Sequence, residues 1–328
     1  MPMEHFDVLI VGAGLSGIGA ACHLQRLCPN KSYAILEGRE RLGGTWDLFR
    51  YPGIRSDSDM YTMGYSFRPW TEPTAIAHGS SILKYLQDTA REYGVDKKIR
   101  YSHRVTGAAW STPHARWTVD IEQGPGKDRI QISCNFLFSC SGYYRYDSAY
   151  QPQFPGMEQF AGRIVHPQFW TSDIDYAGKR VVVIGSGATA VTLVPSMAKE
   201  AAHVTVLQRS PTYVVARPAE DPLATRLRGR LPARLVSRLT RWKRVLLGMY
   251  FFNLCQRQPE KVKRLLLGGV RAYLPKANLE RDFTPSYKPW DQRLCLVPDG
   301  DYFLALRSGR ASVVTDEIER FCRHRRGW

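Results

Sequence analysis

Asp7-Val-Leu-Ile-Val11 runs directly into Gly12-Ala-Gly14-Leu-Ser-Gly17, and a helical pattern follows from Ile18 to Leu27. The apolar run predicts a buried parallel strand, so the segment has the order strand, tight turn, helix. Gly12 permits the turn, Gly14 lets a pyrophosphate approach the backbone, and Gly17 lets the helix pack closely on the strand. The helix N-terminus then faces the phosphate charge. The segment therefore predicts a dinucleotide-binding unit.

An acidic residue follows the next strand of this unit. The strand from Tyr33 to Leu36 ends at Glu37, where a carboxylate can accept hydrogen bonds from ribose hydroxyls. A glycine pattern by itself is a weak signal, and a glycine-rich turn without a ligand is the alternative. The strand, the helix and the acid occur in the order and at the spacing that a nucleotide-binding unit requires, which favours a bound nucleotide.

The same pattern returns in the second half of the chain. Arg180-Val-Val-Val-Ile184 is followed by Gly185-Ser-Gly187-Ala-Thr-Ala190, in which alanine takes the place of the third glycine. The next strand, His203 to Leu207, leads into Gln208 and Arg209 without an acid. Arginine is suited to a 2′-phosphate, so we expect NADP(H) here and an unphosphorylated adenine dinucleotide in the first unit. A solvated surface charge is the alternative role for Arg209.

Two dinucleotide units in one chain are typical of a flavin enzyme in which a nicotinamide reduces a tightly held FAD. We predict an α/β fold with two Rossmann-like dinucleotide-binding domains, for FAD and NADP, and a helical insertion. The expected boundaries are 1–144 for the N-terminal part of the FAD domain, 145–215 and 288–328 for the NADP domain with its linker, and 216–287 for the insertion.

Three further segments carry a family resemblance. They are Gly43-Gly-Thr45-Trp46, Arg50-Tyr-Pro-Gly-Ile-Arg-Ser-Asp57 and Phe160-Ala-Gly162-Arg-Ile-Val-His166-Pro-Gln-Phe-Trp170. The last matches the fingerprint F-x-G-x-x-x-H-x-x-x-W at every fixed position. The chain thus resembles the class B flavoprotein monooxygenases, specifically the Baeyer-Villiger monooxygenases and their ethionamide-activating subgroup. Thr171 replaces the usual Pro or Asp after the fingerprint, which keeps flavin-containing N- and S-monooxygenases as an alternative.

The resemblance implies roles for individual residues. It implies FAD contacts at Gly12, Gly14, Gly17, Glu37, Gly44, Thr45 and Trp46, and NADP contacts at Gly185, Gly187, Thr189 and Arg209. It places Asp57 beside the flavin, and it places Arg293 where the family carries its catalytic arginine. Asp57 and Arg293 are therefore the catalytic candidates.

The family reaction explains why an arginine would be needed. NADPH reduces FAD, O2 adds to the reduced flavin, and the resulting peroxyflavin inserts one oxygen atom into a ketone. A peroxy anion needs a fixed positive charge, which arginine retains more firmly than lysine. A buried guanidinium needs a carboxylate partner, so we expect Asp57 to pair with Arg293. An ordinary structural salt bridge is the alternative for this pair.

Positive charge is concentrated in one segment. The chain has 46 Lys and Arg against 30 Asp and Glu, a formal net charge of +16, and 15 of the basic residues lie between Arg226 and Arg281. Two amphipathic helices are predicted there, one from the recurrence of Leu227, Leu231, Leu235 and Leu239 and one over Trp242 to Leu254. We expect this insertion to pack on the nicotinamide domain. A peripheral contact of residues 226–281 with anionic lipid is the alternative. Nucleic acid is not expected, because no accompanying motif or aromatic platform is present.

Other classes of protein are disfavoured. The seven Cys form no C-x-x-C pair, which argues against a disulfide framework and a zinc site, and no metal is expected. Glu4 and Asp7 interrupt any secretory signal, and the longest apolar stretch, 245–255, falls short of the roughly 20 residues that a spanning helix needs. We expect a cytoplasmic protein, with membrane association as the alternative.

The end of the chain departs from the resemblance. After a predicted strand at Ala311 to Asp316, the family continues with a return to the FAD domain, which this sequence does not show. The resemblance therefore implies a C-terminally truncated chain that lacks the C-terminal part of the FAD domain. Apolar sheet edges and faces should then be exposed. An inactive fragment of such an enzyme is the corresponding alternative function.

Overall fold

The structure is a computed structural model of the 328-residue chain, and it describes residues 3–292 and 294–323. The helices of the described residues are α1 (Leu15–Leu27), α2 (Thr45–Leu48), α3 (Met60–Met63), α4 (Gly79–Glu92), α5 (Ala188–Met197), α6 (Pro222–Leu227), α7 (Ala233–Arg257), α8 (Pro259–Tyr273), α9 (Leu279–Phe283) and α10 (Asp301–Arg307). The strands are β1 (Glu4–Val11), β2 (Tyr33–Leu36), β3 (Ile99–Arg100), β4 (His103–Ser111), β5 (Arg116–Gln123), β6 (Asp128–Ser139), β7 (Arg180–Ile184), β8 (His203–Gln208), β9 (Tyr213–Arg217), β10 (Leu294–Pro298) and β11 (Ala311–Thr315).

The chain divides into two compact units. The first contains residues 3–49 and 79–149, and the second contains residues 50–78 together with the described residues from 150 onward. The segment 50–78 precedes position 144 in the chain, yet it packs with the second unit. The division of the chain by cofactor remains a prediction.

The first unit is built on a six-stranded sheet in the order β3-β2-β1-β6-β5-β4. β3, β2, β1 and β6 are parallel, and β6, β5 and β4 form an antiparallel extension. The apolar run of β1 lies between β2 and β6, which explains why it lacks polar alternation. The core of this sheet is formed by Leu9, Ala34, Leu36, Val119, Ile121, Ile132 and Cys134.

The second unit contains a three-stranded parallel sheet in the order β11-β8-β7 and a separate parallel pair, β10 and β9. Helix α5 follows β7 directly after the second glycine turn, as the sequence predicts. Both units are thus strand-turn-helix arrangements on parallel strands. This confirms the predicted α/β class.

The insertion differs from the prediction in its helix boundaries. The regular leucine spacing suggested one helix over Leu227 to Leu239, but α6 ends at Leu227 and α7 begins after Pro232. Gly229 lies between them with a φ of +76°, a conformation that ends a right-handed helix. No such break separates Leu239 from Trp242, so α7 is one helix of 25 residues. The inner side of α7 and α8 packs on β9 through Tyr213, Cys255, Val262 and Leu266.

The six-stranded sheet and the three-stranded sheet both expose apolar side chains. On β6, Phe136 is 59% and Phe138 is 44% exposed, and on β7, Val182 is 53% and Ile184 is 49% exposed.

Within residues 3–292 and 294–323, no helix is both long and apolar enough to cross a membrane. Across the same ranges, no group of three or more His, Cys, Asp and Glu side chains is arranged to hold a metal ion.

Candidate dinucleotide sites

The first glycine turn is fixed by the strands beside it. The backbone N–H of Gly12 donates to the carbonyl oxygen of Leu36 at 2.8 Å. Gly12 has a φ of +103°, and a Cβ atom there would lie 2.5 Å from the carbonyl oxygen of Cys140. A Cβ atom at Gly17 would overlap the carbonyl oxygen of Gly12. The protein itself therefore requires glycine at these two positions.

Gly14 is different, because its open side faces little protein. A Cβ atom there would have its nearest neighbour at 3.6 Å, an ordinary contact with the Cα of Gly44. Gly43 donates its backbone N–H to the carbonyl oxygen of Ala13 at 3.0 Å, which fastens the G-G-T-W segment to the turn. Thr45 and Trp46 begin α2 directly after Gly44. The structure thus places Gly44 against Gly14, with Thr45 and Trp46 directly after it, and their contacts with FAD stay a prediction.

Glu37 lies at the same turn and is only 3% exposed. One carboxylate oxygen accepts the backbone N–H of Ala13 at 2.8 Å, and the other accepts that of Arg39 at 3.0 Å. A carboxylate has about four acceptor sites, so about two remain for ribose hydroxyls. The predicted ribose acceptor is therefore held in a fixed orientation beside the glycines.

Two residues at this site were not predicted from the sequence. The guanidinium of Arg39 donates to the carbonyl oxygen of Gly44 at 3.3 Å, forms an ion pair with Asp47, and lies 5.3 Å from the ring centre of Tyr146. Burial raises the pKa of Tyr146, and the negative charge of Glu37 raises it further. The position of Arg39 two residues after Glu37 was a usable signal. Nothing in the sequence pointed to Tyr146.

The second glycine turn has the same geometry. Gly185 has a φ of +122°, and its backbone N–H donates to the carbonyl oxygen of Leu207 at 2.8 Å. The hydroxyl of Ser186 donates to the carbonyl oxygen of Ser210 at 3.0 Å, which joins the turn to the residues after β8. Arg209 is in that segment and exposed, and the described residues provide it with no carboxylate partner.

An open cleft of about 620 Å³ lies at this turn. Its lining residues are Ser186, Gly187, Thr212, Tyr287, Trp290, Asp291 and Gln292. The hydroxyls of Thr212 and Tyr287 are hydrogen-bonded at 2.6 Å, which fixes one wall. The cleft therefore joins the predicted phosphate-binding backbone to the segment in which Arg293 was predicted to act.

The R-Y-P-G-x-R-x-D segment is held against α5. The phenol of Tyr51 is hydrogen-bonded to Thr189, and its pKa is raised mainly by burial. A Cβ atom at Gly53 would lie 2.7 Å from the hydroxyl oxygen of Ser196, so only glycine permits this close approach. Arg55, whose side chain is 8% exposed, forms an ion pair with Asp301. Thr189, predicted as an NADP contact, is thus also a contact of Tyr51.

Asp57 is the last residue of this segment and is exposed. It lines a smaller cavity of about 210 Å³ together with Ala188, Trp290, Gln292, Leu294 and Cys295. Trp290 lines both cavities and has a φ of +73°, which is uncommon for a residue with a bulky side chain. Arg293 lies outside the described residues, so its expected pairing with Asp57 stays a prediction.

The structure contains two glycine turns, each between a parallel strand and a helix. This repeated arrangement is that of proteins with two dinucleotide-binding units. The flavin-binding monooxygenase-like family matches residues 6–245 of the chain. The chain belongs to this family.

Individual relatives agree with this assignment. The FAD-containing monooxygenase EthA of Mycobacterium tuberculosis is 55% identical over 320 residues, which cover 97% of this chain and 65% of that protein. The putative FAD-containing monooxygenase MymA of the same organism is 54% identical over 323 residues, with the same two coverages. A solved structure of oxidized steroid monooxygenase bound to NADP matches with a TM-score of 0.77 at 25% identity, over 95% of this chain and 65% of that one. The chain thus spans about 65% of the length of these proteins.

Proposed function

We propose that this chain is an FAD- and NADPH-dependent monooxygenase that inserts one oxygen atom of O2 into a ketone. The observation that carries the proposal is the contrast between the two glycine turns. The first has the buried acceptor Glu37, and the second has the exposed Arg209 in the segment joined to Ser186. An acid suits the free ribose of FAD, and an arginine suits the 2′-phosphate of NADPH.

The residues of the first turn would hold FAD. Gly12 and Gly17 shape the turn, Gly14 leaves room for the pyrophosphate, and Glu37 accepts ribose hydroxyls through its remaining acceptor sites. Gly44, Thr45 and Trp46 would complete the flavin contacts. When bound, the flavin supplies the activation of O2 with electrons from NADPH.

The residues of the second turn would hold NADPH. The backbone at Gly185 and Gly187 would approach its pyrophosphate, and Arg209 would bind its 2′-phosphate through charge-assisted hydrogen bonds. Thr189 would contact the same cofactor. Asp57 and Arg293 keep their proposed catalytic roles, with the arginine providing fixed positive charge and the aspartate orienting it.

A sulfur- or nitrogen-containing substrate is the second candidate. Thr171, which stands where the family usually has Pro or Asp after the fingerprint, favours it. Replacement of Arg293 by Ala separates the two: ketone oxidation should be lost if the proposal holds, whereas sulfoxidation should persist if the second candidate holds.

Nucleotide binding without turnover is a third candidate. The exposed Phe136 and Phe138 on β6 favour it, because an uncovered apolar face beside the first glycine turn would let water reach a bound flavin.

We also propose that residues 226–281 give the protein a peripheral contact with a membrane, on the basis of their concentrated positive charge.

The test is the visible absorbance of the purified 328-residue chain with and without FAD, followed by NADPH oxidation in air. We expect flavin bands and NADPH oxidation that a linear or phenyl ketone stimulates. Flavin bands without turnover would support the third candidate. A purified chain that has no flavin bands and does not bind added FAD would contradict all three.

Matched variants make this test specific. Gly17→Ala should abolish the flavin bands, because its Cβ atom would overlap the backbone of Gly12. Gly248→Ala is the control, because a Cβ atom there meets nothing within 4 Å and alanine favours a helix.

Arg209→Leu should raise the KM for NADPH about 10- to 100-fold and leave the KM for NADH unchanged, since it removes charge-assisted bonds to the 2′-phosphate alone. An equal effect on both cofactors would contradict the role of Arg209.

A further inference from the structure

The outward side of α7 carries a continuous row of apolar side chains. Their spacing of three and four residues places them on one helix face, and we call them the α7 stripe. They are Leu235, Leu239, Trp242, Leu246, Met249 and Tyr250, and their exposed fractions run from 42% to 67%. At 1.5 Å per residue the stripe is roughly 22 Å long. An apolar surface of this extent on a water-exposed helix indicates a binding surface.

The opposite side of α7 fixes the direction in which the stripe faces. Val236, Thr240 and Cys255 are buried there. Lys243 and Arg244 both form ion pairs with Asp221, which is completely buried. These contacts hold the helix in one rotation, so the stripe cannot turn inward.

Cations without partners lie at the beginning of the stripe. Arg230, Arg234 and Arg238 are exposed, and none of them pairs with a carboxylate in the part of the chain that the structure describes. The sequence contains no Asp or Glu from 222 to 259. The nearest preceding acid, Asp221, is already engaged by Lys243 and Arg244. The surface therefore combines apolar area with uncompensated positive charge.

We propose that the α7 stripe and these three arginines bind the surface of an anionic phospholipid membrane. The apolar side chains would enter the boundary between head groups and acyl chains, and the guanidinium groups would contact lipid phosphates. Trp242 and Tyr250 are residue types enriched at that boundary. A second copy of this chain would bring like charges together, which disfavours self-association. The inference rests on the proposed peripheral membrane contact and identifies its surface and its lipid chemistry.

The end of the same helix contacts the candidate site. Phe251 and Phe252 of α7 pack edge-on against Trp290, with ring centres 5.7 and 6.3 Å apart. Trp290 lines the open cleft at the second glycine turn and also the smaller cavity that contains Asp57. A lipid-facing α7 would thus lie next to the cleft, which suits an apolar substrate taken from the membrane.

The test is flotation of the 328-residue chain with vesicles of phosphatidylcholine alone and of phosphatidylcholine mixed with phosphatidylglycerol. We expect binding only to the mixed vesicles, weakening as salt is added. Trp242→Ser should reduce the affinity roughly tenfold, and Arg234→Glu at least about fivefold. The matched controls are Leu27→Ser at the end of α1, an apolar side chain that is 74% exposed, and Arg129→Glu, both in the first unit. Both should bind like the unchanged chain.

Several results would overturn the inference. They are equal binding to the two kinds of vesicle, no binding to either, and equal losses in the variants and their controls. Sedimentation velocity that reveals a dimer which Trp242→Ser dissociates would assign the stripe to a second copy and also overturn it. Flavin absorbance is recorded in the same samples, so loss of vesicle binding is distinguishable from failure of the proposed enzymatic function.

Discussion

At the residue scale, the ion pair between Arg55 and Asp301 fastens the segment that ends at Asp57 to α10 within the second unit. The Arg55 side chain is 8% exposed, so removing its partner leaves a nearly buried charge. We expect Asp301→Asn or Arg55→Met to lower the free energy of unfolding by about 3 kcal/mol, and the double variant to lose less than the sum. Urea unfolding of the two single variants and the double variant measures this coupling.

The exposed pair Arg163 and Asp173 serves as the control for this cycle. Their side chains are 53% and 67% exposed, so Asp173→Asn should leave unfolding unchanged within error. If the double variant at Arg55 and Asp301 loses as much free energy of unfolding as the two single variants together, the pair does not anchor the segment.

Residues whose partners are nearby in sequence could be predicted, and those with distant partners could not. Gly17 and Glu37 follow from a short strand-turn-helix pattern, because the backbone atoms that they contact belong to Gly12 and Ala13 of that same pattern. Arg55 and Asp301 are 246 positions apart, and no local pattern joins them. The same holds for Arg39 and Tyr146.

At the element scale, Asp221 joins α6 to α7. It caps α6 by accepting the backbone N–H groups of Leu223 and Ala224, and it binds Lys243 and Arg244 of α7. Burial by itself raises the pKa of Asp221, but the hydrogen bonds from Lys243, Ala224 and Arg244 outweigh it and hold the pKa below the ordinary 3.8. The ionised form is therefore the one that stabilises the fold.

The lowered pKa of Asp221 determines how the free energy of unfolding depends on pH. The contribution of Asp221 is complete above the pKa of the unfolded chain and is lost as the pH falls through the lower folded pKa. Asp221→Asn, which keeps a good helix cap, should cost about 3 kcal/mol near neutral pH. The difference from the unchanged chain should shrink below pH 3.8. Urea unfolding at several pH values measures it, and a difference independent of pH would contradict the role of the charge.

Elements are predicted well where apolar runs are bounded by glycine turns. β2 and β7 have the predicted limits, since both strands pair with parallel neighbours and end at turns or charged residues. The helices of the insertion were predicted less well, because a regular leucine spacing continued across Gly229 and Pro232. The apolar face of α7 also turned outward, since buried contacts of Lys243 and Arg244 determine its rotation and leucine spacing does not.

At the scale of the whole molecule, each compact unit contains one glycine turn, so each ligand should protect the strands of its own unit. We expect FAD to slow amide hydrogen exchange in β1, β2 and β6, and NADP⁺ to slow it in β7, β8 and β11. At a ligand concentration 100 times the Kd, the slowing should approach about 100-fold for amides that exchange when the unit opens. Gly17→Ala should remove the FAD effect and preserve the NADP⁺ effect. Protection of β7 by FAD in the absence of NADP⁺ would show that cofactor assignment does not follow the two units.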